Sequence, residues 1–432
     1  MPSATSKKLN IVIAGGGFGG ISAALRLDKA LRRFPATLRE RYRIVLVNNH
    51  HSHLYTPALY EIAAIPQGEH ALQYVKSSIA IPLANIFHGT NVEWLERTIV
   101  TIDRKSRKLL FYNEESLSYE FLVVALGAQT AYFNIPGAEE HSLPLKTFAD
   151  AIRLRDKIQL ALEDEDNNLA VVICGGGATG VELAAEFENF VCAIRNIYHP
   201  GRQCIVRVTI IEAGPQILPS FSPDVVTKTR RRLEQLGVAI KTGNPVSRVE
   251  RDKIILKDET SVPYSVFVWA GGVKANSILE TLELPLSKKG GLPVNEYLEA
   301  DERIYAIGDN AYFVNPKTGE PLPWNAPIAE NEARIAVENI IANILGREKK
   351  IFQSWKKYPF ILALGNKYAV ADLVLFTVSG VTAWALKLAV ELRYLFFILP
   401  FWEACSTWWK YVSVSLSNDS RATTPTEEHA SS

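Results

Sequence analysis

Two sets of three glycines carry the first chemical signal in the chain. Gly15, Gly17 and Gly20 fall in the order G-x-G-x-x-G, and Gly175, Gly177 and Gly180 repeat it. Each set stands between a short apolar, β-branched run and an Ala- or Leu-rich segment, the context that gives this spacing meaning. The first glycine allows a tight turn, the second lets backbone approach a pyrophosphate, and the third lets a helix pack closely on its strand. The helix N-terminus then offers unsatisfied N–H groups to the phosphates. A duplicated cradle predicts two dinucleotides, and the natural pair is a flavin and a nicotinamide.

The strand ends that follow each helix hold the next candidates. Tyr42–Val47 predicts the second strand of the first unit, and its end carries Asn48 and Asn49 where an acid usually binds the adenosine ribose. An Asn amide still hydrogen-bonds a hydroxyl, without charge assistance. Val206–Ile211 predicts the equivalent strand of the second unit, and here Glu212 supplies the acid. A carboxylate at that point accepts from both ribose hydroxyls and repels the extra phosphate of NADP, so NADH is the expected coenzyme. Asp309 follows a short apolar strand in Arg303–Ala311, placed either to cap a following helix or to bind a flavin ribityl hydroxyl. The three histidines in His50–Ala64 match no standard metal spacing and have no cysteine nearby, so no metal is expected. That stretch reads instead as a loop over a planar cofactor, with Pro57 stiffening its turn. Cys174, Cys192, Cys204 and Cys405 lack C-x-x-C or metal spacing, as expected of unpaired thiols in a reducing compartment. Cys174 reads as a small packing residue.

The elements that must position these residues follow from periodicity. Ser22–Ala30 and Val181–Arg195 predict the helices behind the two glycine turns. Asn91–Thr101 and Lys108–Tyr112 predict a small antiparallel layer. Tyr119–Ala128 predicts an apolar strand ending at Gly127, and Val266–Val273 another that runs into Gly271 and Gly272. Such glycines permit close backbone approach at a cofactor. Asp150–Leu162 predicts a helix and Glu163–Asn168 a loop. The fold class is therefore α/β, with two Rossmann-like dinucleotide-binding domains. Residues 1–150 and 274–350 make the first, and residues 151–273 make the second, inserted in it. In a chain of 432 residues, 47 Lys and Arg stand against 46 Asp and Glu, a net charge of +1. That balance gives no reason to expect a nucleic-acid partner. Met1–Asn10 lacks the apolar core of a signal peptide.

From Trp355 the composition changes. Leu373–Leu386 is uncharged, Leu388–Trp402 contains YLFFILPFW, and Trp384, Trp402, Trp408 and Trp409 cluster with Lys387, Arg393 and Lys410. Lys387, Glu391, Arg393 and Pro400 interrupt any run of the ~20 apolar residues that a spanning helix needs. Tryptophans and basic residues bordering an apolar face suit the bilayer interface; the alternative is a helix buried against a partner subunit. Residues 351–416 are expected to be an amphipathic helical membrane-association region, and the polar residues 417–432 a disordered tail.

Taken in order, IVIAGGGFGG, HLYTPALYEIA, FLVVALGA, VVICGGGATGVELA, VFVWAGGV, IYAIGDNA and the Trp-rich C-terminus resemble the type II NADH dehydrogenases. These are single-subunit, membrane-attached NADH:quinone oxidoreductases of the two-dinucleotide-binding-domain flavoproteins, with a glutathione-reductase-like fold. The resemblance runs from about Asn10 to Tyr411. It implies FAD on the first Rossmann unit, at Gly15, Gly17, Phe18, Gly20, Pro57, Ala128 and Asp309, with Asn48 where the family usually has an acid. It implies NADH on the second, at Gly175, Gly177, Gly180, Glu212 and Gly272. Glu182 matches a family glutamate between the nicotinamide and quinone sites; in the first turn of a helix, a carboxylate is also favoured by the dipole alone.

One segment departs from the family. Where A-Q-x-A-x-Q usually binds quinone, this chain reads Ala326-Pro327-Ile328-Ala329-Glu330-Asn331. Proline has no side-chain donor and Asn331 is one methylene shorter than glutamine. The implied activity is hydride transfer from NADH to FAD, then two electrons to a membrane quinone without ion pumping. The chain would act as a peripheral, homodimeric protein on the cytoplasmic or matrix-equivalent face of a membrane. Two other readings remain open: a soluble NAD(P)H-dependent reductase of a small electron-transfer protein, and a flavoprotein that senses NADH without turnover.

Overall fold

The computed structural model describes residues 8–65, 76–163, 169–198 and 206–422. Most of the loop expected at Glu163–Asn168 lies outside them, as do Cys204 and the N-terminal residues before Lys8. The chain separates into two compact units. The first comprises residues 1–54, 81–129 and 273–356, the second residues 55–80, 130–272 and 357–432.

In the first unit a six-stranded sheet runs Glu299–Asp301, Ile304–Ala306, Phe121–Val124, Leu9–Ala14, Tyr42–Asn48, Val92–Glu96. All neighbours are parallel except the first pair. The central strands are buried almost throughout, as parallel strands covered on both faces must be. Helices Phe18–Leu31 and Ala326–Leu345 pack together. A core of Val12, Val45, Val47, Leu122, Val124 and Ile304 continues into Ile102, Leu109 and Phe111 of a small antiparallel sheet.

That small layer differs from expectation. Asn91–Thr101 holds two strands, not one: Val92–Glu96 extends the parallel sheet, and only Ile99–Asp103 pairs antiparallel with Lys108–Phe111. The Arg97 N–H donates to the Asn48 carbonyl at 2.9 Å where the first strand ends, a break that alternating side chains do not reveal.

The second unit repeats the plan with five parallel strands in the order Leu143–Pro144, Val266–Trp269, Leu169–Cys174, Val206–Glu212, Ala239–Thr242. Helices Phe148–Glu163, Ala178–Tyr198 and Pro223–Gln235 accompany it. The C-terminal part is not wholly helical. It opens with an antiparallel sheet of Phe360–Ala363, Ala369–Asp372 and Thr377–Gly380, so the uncharged run from Leu373 begins as a hairpin tip. Helices Val381–Ile398 and Phe401–Ala422 follow, broken at Leu399–Pro400, where proline cannot continue the ladder. The last helix enters the segment expected to be disordered and reaches Ala422; the remainder lies outside the described residues. Among the described residues no helix is long and apolar enough to cross a membrane.

Candidate active site

The two glycine turns are built alike. Gly15 donates its N–H to the Val47 carbonyl at 2.8 Å, and Gly175 donates to Ile211 at 2.8 Å. Both glycines have left-handed φ, +113° and +111°. A Cβ on Gly15 would run into the Ala125 carbonyl, and one on Gly175 into the Ala270 carbonyl. Gly20 and Gly180 press against the carbonyls of Gly15 and Gly175, which brings each helix onto its strand. Gly17 and Gly177 face open space: a Cβ there meets nothing within 4 Å. A bare backbone turn that opens a helix is the form a pyrophosphate cradle takes, so the residues present fit a dinucleotide in each unit.

The strand-end positions expected to bind ribose are also built alike. Gly176 N–H donates to Glu212 Oε2 at 2.7 Å, and Gly214 N–H donates to Oε1 at 2.7 Å. In the first unit Gly16 N–H donates to Asn48 Oδ1 at 2.9 Å, while Asn48 Nδ2 donates to the His50 carbonyl at 2.8 Å. Asn48 thus keeps the structural half of the acid's role. Its amide nitrogen cannot accept, so one oxygen remains for a hydroxyl where Glu212 has two.

His53 supports the first turn from below. It is fully buried, its Nδ1 lies 2.9 Å from the Gly16 carbonyl, and its ring meets Phe18 edge-on at 5.1 Å. Burial pushes its pKa down to about 4, beyond what the Gly16 contact restores. The imidazole is neutral and a carbonyl only accepts, so Nδ1 carries the proton and donates it. His51 lies on the surface, 3.7 Å from Glu96. Among the described residues no group of three or more His, Cys, Asp or Glu side chains is arranged to hold a metal ion.

Asp309 sits in the short 3₁₀ turn Gly308–Asn310, behind the strand Ile304–Ala306. It caps no helix: Asn325 caps the next one, accepting from the Ile328 N–H at 3.0 Å. Asn310 ties this turn to the neighbouring strand end, receiving the Gly127 N–H at 3.2 Å and donating to the Gly127 carbonyl at 2.9 Å. Ala128, half-buried, begins the short strand that follows. Gly308 N–H donates to buried Glu332 at 2.6 Å. Burial and then the nearby Asp309 push Glu332 up to about 8, so it is protonated at neutral pH.

The segment expected to take quinone is the start of helix Ala326–Leu345, with Pro327 in the first turn, where its missing N–H is harmless. Ala329 faces inward; Cβ atoms added at Gly19 and Gly308 would meet its methyl. The Asn331 amide oxygen accepts from Arg334 at 2.8 Å, and Glu330 lies partly exposed one residue before it.

The second unit gathers a buried polar cluster that sequence reasoning did not assemble. Lys387 Nζ lies 2.9 Å from Glu61, 2.8 Å from Glu391 and 2.6 Å from the Tyr411 hydroxyl. Tyr411 donates to Glu61 at 2.5 Å. Burial pulls the Lys387 pKa down, but its two carboxylates outweigh it and hold the ammonium charged. Burial pushes Glu391 up to about 7 despite Lys387, and pushes Tyr60 and Tyr411 well above their ordinary range.

Glu182 completes the cluster from helix Ala178–Tyr198. One carboxylate oxygen accepts the Ala363 N–H at 3.2 Å. Its residue keeps some exposed surface, yet the carboxyl is enclosed, and burial drives it to about 8 against Lys387 and the Ala363 bond. Pro57 lies in the same unit, exposed in the 3₁₀ turn Thr56–Ala58. Gly272 follows strand Val266–Trp269 and is covered by the Phe133 ring. Cys174 is enclosed, its thiol pushed up to about 12 by burial and then Glu212, as suits a packing residue.

The one sequence signal for the cluster was Lys387 and Glu391, four apart on an apolar helix, where a lone charge is rarely buried. Glu61 lies 326 positions from Lys387 and 350 from Tyr411 and carries no such signal.

The family described as pyridine nucleotide-disulphide oxidoreductase matches residues 9–333. The type II NADH:quinone oxidoreductase of Haemophilus influenzae is 26% identical over 404 residues, covering 84% of this chain and 87% of that protein. The demethylphylloquinone reductase NdbB of Synechocystis is 29% identical over 409 residues, 92% of this chain and 94% of that protein. Among solved structures, NDH2 from Plasmodium falciparum in complex with NADH matches with a TM-score of 0.80 at 18% identity, over 96% of this chain and 99% of that one. At such identity the likeness speaks for the fold.

Proposed function

This chain belongs to the pyridine nucleotide-disulphide oxidoreductase family, and on that premise we propose that it is a flavin-dependent NADH:quinone oxidoreductase working at a membrane surface. The observation that carries the reading is the pair of bare-backbone cradles, each with a side chain at the end of its second strand, Asn48 or Glu212, accepting from the glycine turn's backbone. Relatives named as NADH:quinone and quinone reductases over most of their length supply the acceptor class.

FAD, when bound, supplies two-electron chemistry, accepting a hydride from NADH and passing both electrons to a quinone. In this reading Gly15, Gly17, Phe18 and Gly20 hold its pyrophosphate, Asn48 its adenosine ribose, and Ala128 and Asp309 the rest. Pro57 stiffens the loop over it. Gly175, Gly177 and Gly180 hold the NADH pyrophosphate, and Glu212 fixes the ribose and disfavours a 2′-phosphate by like charge. Gly272 gives the nicotinamide half close backbone approach.

Reduction of a quinone to a quinol takes two electrons and two protons, and NADH brings both electrons but one proton. Glu182 and Glu391, protonated at or near neutral pH beside Lys387, are the proposed source of the second. Ala326, Pro327, Ala329, Glu330 and Asn331 are proposed to border the quinone with a helix N-terminus in place of two glutamine amides.

Trp402, Trp409 and Phe401 are strongly exposed on the last helix, and Leu375 and Phe376 on the hairpin before it. These apolar side chains support attachment to the membrane surface. The protein is proposed to act as a homodimer on the cytoplasmic or matrix-equivalent face. Assay of NADH and NADPH against short- and long-chain quinones with lipid vesicles tests the reading. Turnover with NADH and quinone, stimulated by vesicles, supports it; oxidation of NADH at the same rate with and without quinone overturns it.

A further inference from the structure

Phe133 occupies a place where a turn favours glycine or asparagine. The Ile135 N–H donates to the Tyr132 carbonyl at 3.0 Å, closing a four-residue turn. Its central residues, Phe133 and Asn134, have φ of +53° and +54°. Positive φ at both marks the mirror-image turn that suits Asn, Asp and Gly and disfavours a bulky side chain. Asn134 fits and Phe133 does not. Burial gives no compensation, because Phe133 is 63% exposed, whereas its neighbour Tyr132 packs into the core. The turn is held in place nonetheless: Ala131 N–H donates to the Gly272 carbonyl at 3.1 Å and the Trp269 indole donates to the Ala131 carbonyl at 2.9 Å. An unfavourable conformation that its surroundings enforce, with the side chain turned to solvent, points to use.

The sheet says what that use is. Strands Val266–Trp269, Leu169–Cys174 and Val206–Glu212 are consecutive and parallel, so their carboxyl ends share one edge. Glu212 marks the adenosine ribose at the third strand and the glycine turn marks the pyrophosphate at the middle one. A dinucleotide laid along that edge therefore has its nicotinamide half at the end of the first strand. Gly272 stands there, and the Phe133 ring is so close that a Cβ on Gly272 would lie 2.7 Å from it.

We infer that Phe133 is a coenzyme-contacting residue, whose exposed ring packs against the nicotinamide riboside half of NADH while side-chain-free Gly272 makes room for it. This rests on the second unit being the NADH site. The ring adds apolar contact and a π-face for the planar nicotinamide, so it orients that half without taking part in the chemistry.

The test uses the full flavin-loaded chain. Phe133→Asn removes the ring and suits the turn better; Phe133→Tyr keeps the ring. Calorimetric titration with NAD⁺ and the NADH concentration that half-saturates flavin bleaching are both measured. The Asn variant should bind NAD⁺ and NADH about three- to tenfold more weakly, with quinone KM unchanged and melting temperature equal or higher. The Tyr variant should match the parent. Parent-like NAD⁺ binding by Phe133→Asn overturns the inference, as does an equal loss toward NADH and quinone. A parent protein that itself binds no NAD⁺ sinks the reading of the second unit, a distinct failure seen before any variant is made.

Discussion

Replacing Glu182 by glutamine should make the protein more stable above neutral pH while impairing quinone reduction. The carboxyl has an ordinary pKa of 4.5 and is raised to about 8 in the folded chain, chiefly by burial. Between those values the folded protein retains a proton that the unfolded chain has released. Stability from this group is therefore complete below pH 4.5, declines as pH rises, and levels off above pH 8. At 1.36 kcal/mol per pH unit the loss is ~3 kcal/mol by pH 7 and ~5 kcal/mol at pH 8 and above, as an upper bound. Glutamine matches the protonated acid in shape, still accepts the Ala363 N–H, and never ionises. The two proteins should thus have equal stability near pH 4.5, and the variant should gain steadily up to pH 8. Denaturant unfolding of both proteins from pH 5 to 9, followed by tryptophan fluorescence, measures the difference directly. A difference that stays constant across that range would refute the burial argument. Parallel assays should show NADH bleaching the flavin normally but quinone turnover reduced, since only the proton step loses its group.

Other consequences follow from the same geometry. Gly177→Ala should fold normally, because its Cβ meets no protein atom, yet weaken NADH binding about five- to hundredfold by crowding the pyrophosphate; Gly17→Ala should do the same for FAD content measured on the purified protein. Neutral His53, depressed to about 4, contributes stability that is complete above pH 6.5 and is lost as pH falls toward 4. Flavin release on acid titration should fall in that window and move when His53→Gln removes the titration. Lys387→Met leaves Glu61 and Glu391 buried without their cation. It should cost about 3–5 kcal/mol at neutral pH by denaturant unfolding, and less as acid protonates Glu391.

Much of the scaffold was legible because local chemistry dictates it. A glycine that must lie against a neighbouring carbonyl leaves a mark in sequence, and so does a continuous apolar strand; Gly15, Gly175, Leu9–Ala14 and Leu169–Cys174 stand where spacing placed them. Glu212 and Asn48 were readable as strand-end residues, although the bonds they accept from the Gly176 and Gly16 N–H groups were not. His53 was visible only as one of three histidines, since its role depends on burial beneath Gly16, a contact 37 residues distant in sequence. Glu332 escaped notice on an otherwise ordinary helix because its partner is the backbone N–H of Gly308. The Lys387 cluster draws on four helices, and no local pattern joins them. Val92–Glu96 was assigned to the wrong sheet because pairing partners, unlike strands, are not written in periodicity.

Anaerobic rapid mixing of the flavin-loaded protein with NADH, then with a quinone, tests the central claim most directly. The account predicts that NADH bleaches the flavin absorbance in a saturable step and that quinone alone restores it, with one NADH consumed per quinol formed. Flavin that stays oxidised on mixing with NADH, or reduced flavin that ignores quinone, would contradict it.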